Sequence, residues 1–438
     1  MNVVEETKNL TFSMDLPETM LAVTQTFDAP QVEDVRAAAQ KALEESGMLA
    51  RINAGDSVAV GSGSRGIHAI DQITKAVVDR LLAHGAQPFV TPLMGSHGGA
   101  TVEGQVGMLA GFGITEETMG VPIRATMDVQ EIGRVSNGPT LCQDTVSAAA
   151  DHTILVNRVK PHTSFRSHIE SGLAKMAVIG MGKQHGAATM HAPGVTALKE
   201  HLAPAARVYE SNTNLLGGIA IVENAYDMTA EIAGLTAAEI GAEREAALLE
   251  RAKSLMASLP FPMIEVLVVR QLGKNISGTG MDTNVLGRLR IPREDDEKFG
   301  GPDICSVAFL DLTEETHGNA NGMGLANVTT ARVASQVDYH ATYMNALTSG
   351  IMGMLKAHLP IVMPNDQQAI QLALRGAATP LHDARIVMIP NTLQLDKLWV
   401  STNLRTDIDA HPRLTFDDEC PLAFDEQGMM TSPWQMEP

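Results

Sequence analysis

The sequence predicts an α/β protein of two α/β domains with mostly parallel sheets. Three observations carry this. The chain is 438 residues long and 44% hydrophobic, enough for two or three buried cores. An order of short apolar run, polar loop and helical stretch recurs along it, which is the pattern of βαβ units. After SLPFP (258–262) that order breaks and begins again, as it does at a linker.

Residues 31–48, QVEDVRAAAQKALEESGM, read as an amphipathic helix ended by glycine. DSVAV (56–60) is the first apolar run, followed by GSGSRG and a helix over 67–84. QPFVTPL (87–93) is the second, followed by MGSHGGAT and a helix through about Phe112. HTILV (152–156) is the third, followed by NRVKPHTSF and the helix carrying Lys175. GIAIVENA (218–225) adds a further strand, and TAAEIGAEREAALLERAKSLMA (236–257) a strong helix. Beyond the linker, MIEVLVV (263–269), ICSVAFLDL (304–312) and ARIVMIP (384–390) are strands, alternating with helices near 327–356 and 365–375. The expected domains are therefore 1–258 and 259–402. An irregular, acidic tail, 403–438, is expected to pack back on the first domain.

A net charge of -19 argues against nucleic acid or an anionic membrane as partner. No apolar stretch approaches a membrane span, and MNVVEETKNL has neither the basic start nor the apolar run of a signal peptide. Cys142, Cys305 and Cys420 are few, odd in number and scattered. They fit a reducing compartment, so a cytoplasmic protein is expected, and they exclude a thiolate zinc knuckle or a locally encoded iron–sulfur cluster. The 24 methionines, against 4% aromatics, are expected to fill core gaps. The sequence leaves the oligomeric state open.

The chemistry concentrates between Asn157 and His191. Four of the 14 histidines fall there with three lysines, and Glu170 is the only acidic residue. A largely apolar segment rarely collects such groups unless something binds them. Ligands of parallel sheets bind where strands end at their carboxyl edge. Here the three runs deliver Ser62, Ser64 and Arg65; Ser96, His97, Gly98 and Gly99; and Lys160 and His162. Convergence of three strand ends is the main sign of an active site. GSGSRG at a helix start suits a phosphate or carboxylate, and equally reads as a turn. It matches neither a Walker loop nor the full dinucleotide spacing.

His97 and His162 each read either as a loop histidine or as a general acid/base. Pro161 helps fix the His162 loop. Two acid/base histidines on separate loops can flank a small substrate from opposite faces, as a racemase requires. Lys175, among small and apolar residues, either snorkels or is a desolvated nucleophile able to join a cofactor covalently. Lys183 and His185, in GKQHG, read as an ordinary exposed turn. His191 is a candidate transition-metal ligand. With no HxxxH or carboxylate pair beside it, a metal there needs further donors from a cofactor.

GSRG, SHGGAT, the KPH…ESGLAKM…H segment and GKNISGTGMDTNVLGR together resemble the nickel-pincer lactate racemase family, over about 57–399. The resemblance implies a site in the cleft between two domains and a nickel-pincer nucleotide cofactor (pyridinium-3,5-bisthiocarboxylic acid mononucleotide nickel). It implies that Lys175 joins the cofactor, that His191 ligates nickel, and that His97 and His162 are the acid/base pair. Arg65, Ser62, Ser64, Gly66 and Gly98 match the loops beside cofactor and substrate. The implied reaction is racemisation or epimerisation of a small-molecule 2-hydroxy acid by a hydride shuttle. The segment from His162 to Lys175 is longer than in the lactate enzyme, with His168 inserted. The family's glutamine–lysine substrate pair has no clean counterpart, and Lys274, Arg288 or Arg290 is expected to replace it. Two other classes compete: a zinc-dependent hydrolase or lyase, disfavoured because no carboxylate stands at ligand spacing, and a non-catalytic protein that binds an anionic metabolite.

Overall fold

The computed structural model describes residues 3–63 and 66–434. It divides into one unit of Asp28–Met256 and a second formed by Met1–Phe27 with Ala257–Pro438. Both are α/β with mostly parallel sheets, the predicted fold class. Among the described residues no helix is long and apolar enough to cross a membrane.

The Asp28–Met256 unit is built on a five-stranded sheet. Its strands run Gln87–Pro92, Ser57–Ser62, His152–Arg158, Leu215–Glu223, Thr229–Thr236 across the sheet. The first four are parallel and the fifth is an antiparallel edge. Register aligns Ser62 with both Pro92 and Val156, so three of the predicted site loops leave one edge. The central strands are apolar on both sides, as parallel strands covered on two faces must be. On one face Val58, Val60, Val90, Ile154, Val156 and Ile219 pack with Leu43, Ile73, Val77 and Leu81 from the helices Val35–Glu45 and Ile70–Ala83. On the other, a Cβ at Gly218 would lie 2.9 Å from Leu173 Cδ2. Glycine there lets the Lys175 segment lie directly on the sheet.

The second unit carries an eight-stranded sheet. Five strands are parallel, in the order Ile361–Met363, Val328–Thr330, Asp303–Leu312, Met263–Leu272, Ile386–Ile389. Three antiparallel strands follow: Lys397–Ser401, Thr19–Gln25 and Leu414–Pro421. The domain assignment from sequence is corrected at both ends. The chain's first strand belongs here, and so does the tail, whose Leu414–Pro421 pairs with Thr19–Gln25 and whose Trp434 meets Trp399 edge to face at 5.8 Å. The tail read as irregular because its strand is an edge strand with Asp417, Asp418 and Glu419 exposed, the kind of charge that blocks further pairing.

Other differences have local causes. The helix expected over 236–257 is Glu243–Leu255, because Glu239 folds back onto the Thr236 N–H and hydroxyl at 2.8 and 2.9 Å and makes a turn first. The helical region near 327–356 begins with the strand Val328–Thr330 and breaks into Ala331–Gln336, Tyr339–Ser349 and Ile351–Met354. Thr330 and Asp338 cap the first two, and Gly350 (φ 57°) ends the second.

Candidate active site

The carboxyl edge of the five-stranded sheet gathers the polar loops of the Asp28–Met256 unit. Ser62 ends its strand fully buried, and its Oγ has no hydrogen-bond partner among the described residues. Ser64 and Arg65, expected to contact a ligand, lie outside the described residues. Gly66 is exposed. A Cβ at Gly63 would stand 2.9 Å from Asn157 Oδ1, and Asn157 Nδ2 donates to the Gly172 carbonyl at 3.0 Å. The first loop is thereby linked through Asn157 to the start of the Lys175 helix. His68 N–H donates to Glu223 at 2.8 Å, and Arg158 pairs with the same carboxylate.

His97 is exposed and precedes the short 3-10 turn Gly98–Ala100. Its N–H donates to the Met94 carbonyl at 3.2 Å and its carbonyl accepts from Gln105 Nε2 at 3.3 Å. Gly98 (φ 65°) has no room for a side chain, since a Cβ would lie 2.5 Å from the Gly104 carbonyl carbon. Gly95 N–H donates to Gly180 O at 3.3 Å, which ties the His97 loop to the segment between Lys175 and His191.

The His162 loop folds around one buried carboxylate. Glu170 has no solvent exposure. It accepts the His162 N–H at 2.8 Å, the Ser167 N–H at 3.3 Å, Arg166 at 3.3 Å and Lys253 at 2.8 Å. Two cations and two amides are the kind of pairing a buried carboxylate needs. The His162 ring stacks on Phe165 with centroids 4.3 Å apart, and Nδ1 accepts the Ser164 N–H at 3.1 Å. A neutral ring so held carries its proton on Nε2.

Lys175 is partly buried and ends a single helical turn, Leu173–Lys175. Glu245, from the helix Glu243–Leu255, caps that turn: Oε1 accepts the Ala174 N–H at 3.1 Å and Oε2 the Gly241 N–H at 2.7 Å. Burial raises the Glu245 carboxyl's pKa, and these N–H groups pull it back. A carboxylate at a helix N-terminus also meets the positive end of the helix dipole. After Lys175 the chain widens into a π-helical turn, Met176–Gly180, a feature frequent at functional sites. A new helix, Lys183–His191, then ends on the second candidate. His191 Nδ1 donates to the Ala187 carbonyl at 2.6 Å, which leaves the Nε2 lone pair for a ligand. Burial lowers the His191 pKa, the Ala187 carbonyl raises it, and the Lys175 ammonium lowers it further, for a net fall. The Lys175 charge therefore acts on His191, and the shift favours the neutral imidazole, the form that binds metals.

Gly172 makes the Glu245 cap possible. It has φ 144°, and a Cβ there would lie 2.3 Å from Glu245 Oε1. Gly172→Ala is expected to expel the carboxylate and destabilise the unit by about 2 kcal/mol. Urea unfolding checks this, and an unchanged midpoint would remove Glu245 from its capping role.

One sequence expectation is overturned here. Lys183, read as part of an exposed turn, is fully buried, because its ammonium finds two acceptors beneath the His97 loop. His185 is exposed as read. Glu170, Glu245 and Gln105 were not identified from sequence. Only Glu170 carried a signal, as the lone acid in its stretch; the other two sit on helices whose patterns look ordinary.

Three of the candidate substrate residues, Lys274, Arg288 and Arg290, lie in the other unit and are not equivalent. Lys274 follows the strand Met263–Leu272 at its carboxyl end, and its Nζ donates to Gly278 O at 3.0 Å and Asn321 O at 2.9 Å. Arg288 donates to Leu325 O at 3.3 Å, to Asn327 Oδ1 at 3.1 Å and to Ile304 O. Those partners precede or begin the strands Val328–Thr330 and Asp303–Leu312, so Arg288 braces the amino edge of that sheet. Burial pushes its pKa down to about 10. Arg290 is exposed in left-handed backbone, φ 52°. Of the three, Lys274 alone is at the edge where ligands bind.

Among the described residues, no group of three or more His, Cys, Asp or Glu side chains could hold a metal ion.

No family model and no curated protein matches the chain. Among solved structures, it is similar to the lactate racemase apoprotein from Thermoanaerobacterium thermosaccharolyticum, with a TM-score of 0.53 at 10% identity over 88% of this chain and 97% of that one. It also matches a structural-genomics protein from Thermotoga maritima, with a TM-score of 0.45 at 12% identity over 65% of this chain and 72% of that one. The likeness to the racemase apoprotein is one of fold.

Proposed function

We propose that the chain is a racemase or epimerase of a 2-hydroxy acid that works with a nickel-pincer nucleotide. The observation that carries this is the part-buried His191, whose Nδ1 is spent on the Ala187 carbonyl and which ends the helix that follows the Lys175 turn. The fold shared with a lactate racemase apoprotein supports the isomerase class.

Lys175 would hold the nucleotide through its amine, and His191 would hold the nickel through Nε2. When bound, the cofactor supplies an acceptor for the C2 hydride. The chain's own residues manage the proton. A C2–H beside a carboxylate is a poor acid, whereas an alkoxide releases hydride readily, so removing the hydroxyl proton is the decisive assistance. His97 and His162 do this from separate loops, one taking the proton and the other returning one on the opposite face. The Ser164 N–H occupies the Nδ1 lone pair of the His162 ring. Proton exchange through Nε2 therefore requires that bond to be released as substrate binds.

Loading tests the cofactor assignment. After incubation with the nickel-pincer nucleotide, wild-type protein is expected to hold nickel near one per chain with the cofactor's absorbance, and Lys175→Ala and His191→Ala to lose most of it. Equal nickel in all three proteins, or stoichiometric zinc in the wild type, would contradict the assignment.

A further inference from the structure

The loop that carries His97 rests on a buried polar device with no part in the chemistry above. Lys183 opens its helix with φ 52°, a left-handed conformation that costs energy in any residue with a Cβ. Its side chain is fully buried, where lysine is rarely found without partners. Two hydrogen bonds offset these costs. The ammonium donates to the Pro92 carbonyl, at the end of the strand leading to His97, and to Gln105 Oε1 at 3.1 Å. Burial pushes Lys183 down to about 8 while Asp144 pulls it up, so at neutral pH it remains an ammonium with donors to give.

Gln105 is also fully buried. With Oε1 turned to the ammonium, its amide must face the other way. Nε2 donates to the Gly95 carbonyl at 2.8 Å and to the His97 carbonyl at 3.3 Å. The loop thus has one polar path running from Lys183 through Gln105 to the backbone of His97. A methionine at 183 would fill similar volume without the desolvation of an ammonium. What the charged arrangement adds is a single geometry, since a satisfied buried polar network admits few alternatives.

We propose that Lys183 is a positioning residue for His97, acting through Gln105, whose amide fixes the backbone from which the imidazole projects. This rests on His97 being an acid/base group, and its test separates the two claims. Lys183→Met removes the ammonium. Gln105→Glu keeps a partner for the ammonium but has no donor for the Gly95 and His97 carbonyls. In cofactor-loaded protein each variant is expected to lower kcat about 100-fold while KM moves by no more than about threefold, as misplacement of a reacting group predicts. In unloaded protein, the His97 imidazole NMR signals are expected to shift and broaden while those of His162 and His191 stay in place. Should Lys183→Met fail to fold, Gln105→Glu decides alone. Unmoved His97 signals in folded Gln105→Glu protein overturn the proposal whatever happens to kcat. Absence of racemisation in the wild type overturns the functional assignment instead, and the response of the His97 signals still decides whether Lys183 and Gln105 position that residue.

Discussion

Cofactor-loaded His97→Ala and His162→Ala proteins are each expected to lose racemisation by about a thousandfold, the usual scale for removing a general acid/base. Both should remain folded and keep their nickel, because the proposed acid/base role is separate from the cofactor-holding role proposed for Lys175 and His191. The two losses should differ in character. The His162 ring stacks on Phe165 and its loop is anchored on Glu170, so His162→Ala should also loosen residues 162–170. The exposed His97 ring leaves its loop held by Gln105 through backbone carbonyls, so His97→Ala should cost little stability. Chiral assay, nickel content and thermal unfolding together check this. Full activity in either variant would remove that histidine from the chemistry.

The largest stability effect is expected at Glu170. Its carboxylate is unexposed and receives Arg166, Lys253 and two backbone N–H groups. Glu170→Ala would leave two cations and two amides without their acceptor, a change that costs about 3 kcal/mol when the site is buried. Glu170→Gln should cost less, because one amide oxygen still accepts. Lys253 is partly exposed and can turn to water, which keeps the loss at the lower end. Urea-induced unfolding followed by two probes measures it, and a midpoint within error of wild type would show that the carboxylate does not hold the His162 loop.

The fold was legible where local pattern and burial agree. Strands such as Ser57–Ser62 and His152–Arg158 are buried on both faces and read as apolar runs bounded by polar loops. Leu414–Pro421 was not legible, because an edge strand with exposed acids looks like a solvated tail. Nor was the membership of Thr19–Gln25, whose partners lie hundreds of residues away. Candidate site residues that follow strand ends were visible as loop chemistry. Lys183 was misread because glycine-flanked lysine and histidine suggest a turn, and only tertiary contacts with Pro92 and Gln105 bury it. Glu245 was invisible for a similar reason: among many glutamates on a charged helix, nothing local marks the one that caps the Lys175 turn.

Chiral chromatography of enantiopure 2-hydroxy acids incubated with cofactor-loaded protein tests the central claim most directly. The substrates should span small aliphatic acids, sugar acids and hydroxy dicarboxylates. At least one is expected to be inverted at C2 from either configuration, reaching the same final ratio from both sides. Recovery of every enantiomer unchanged, from protein shown to hold its nickel, would contradict it.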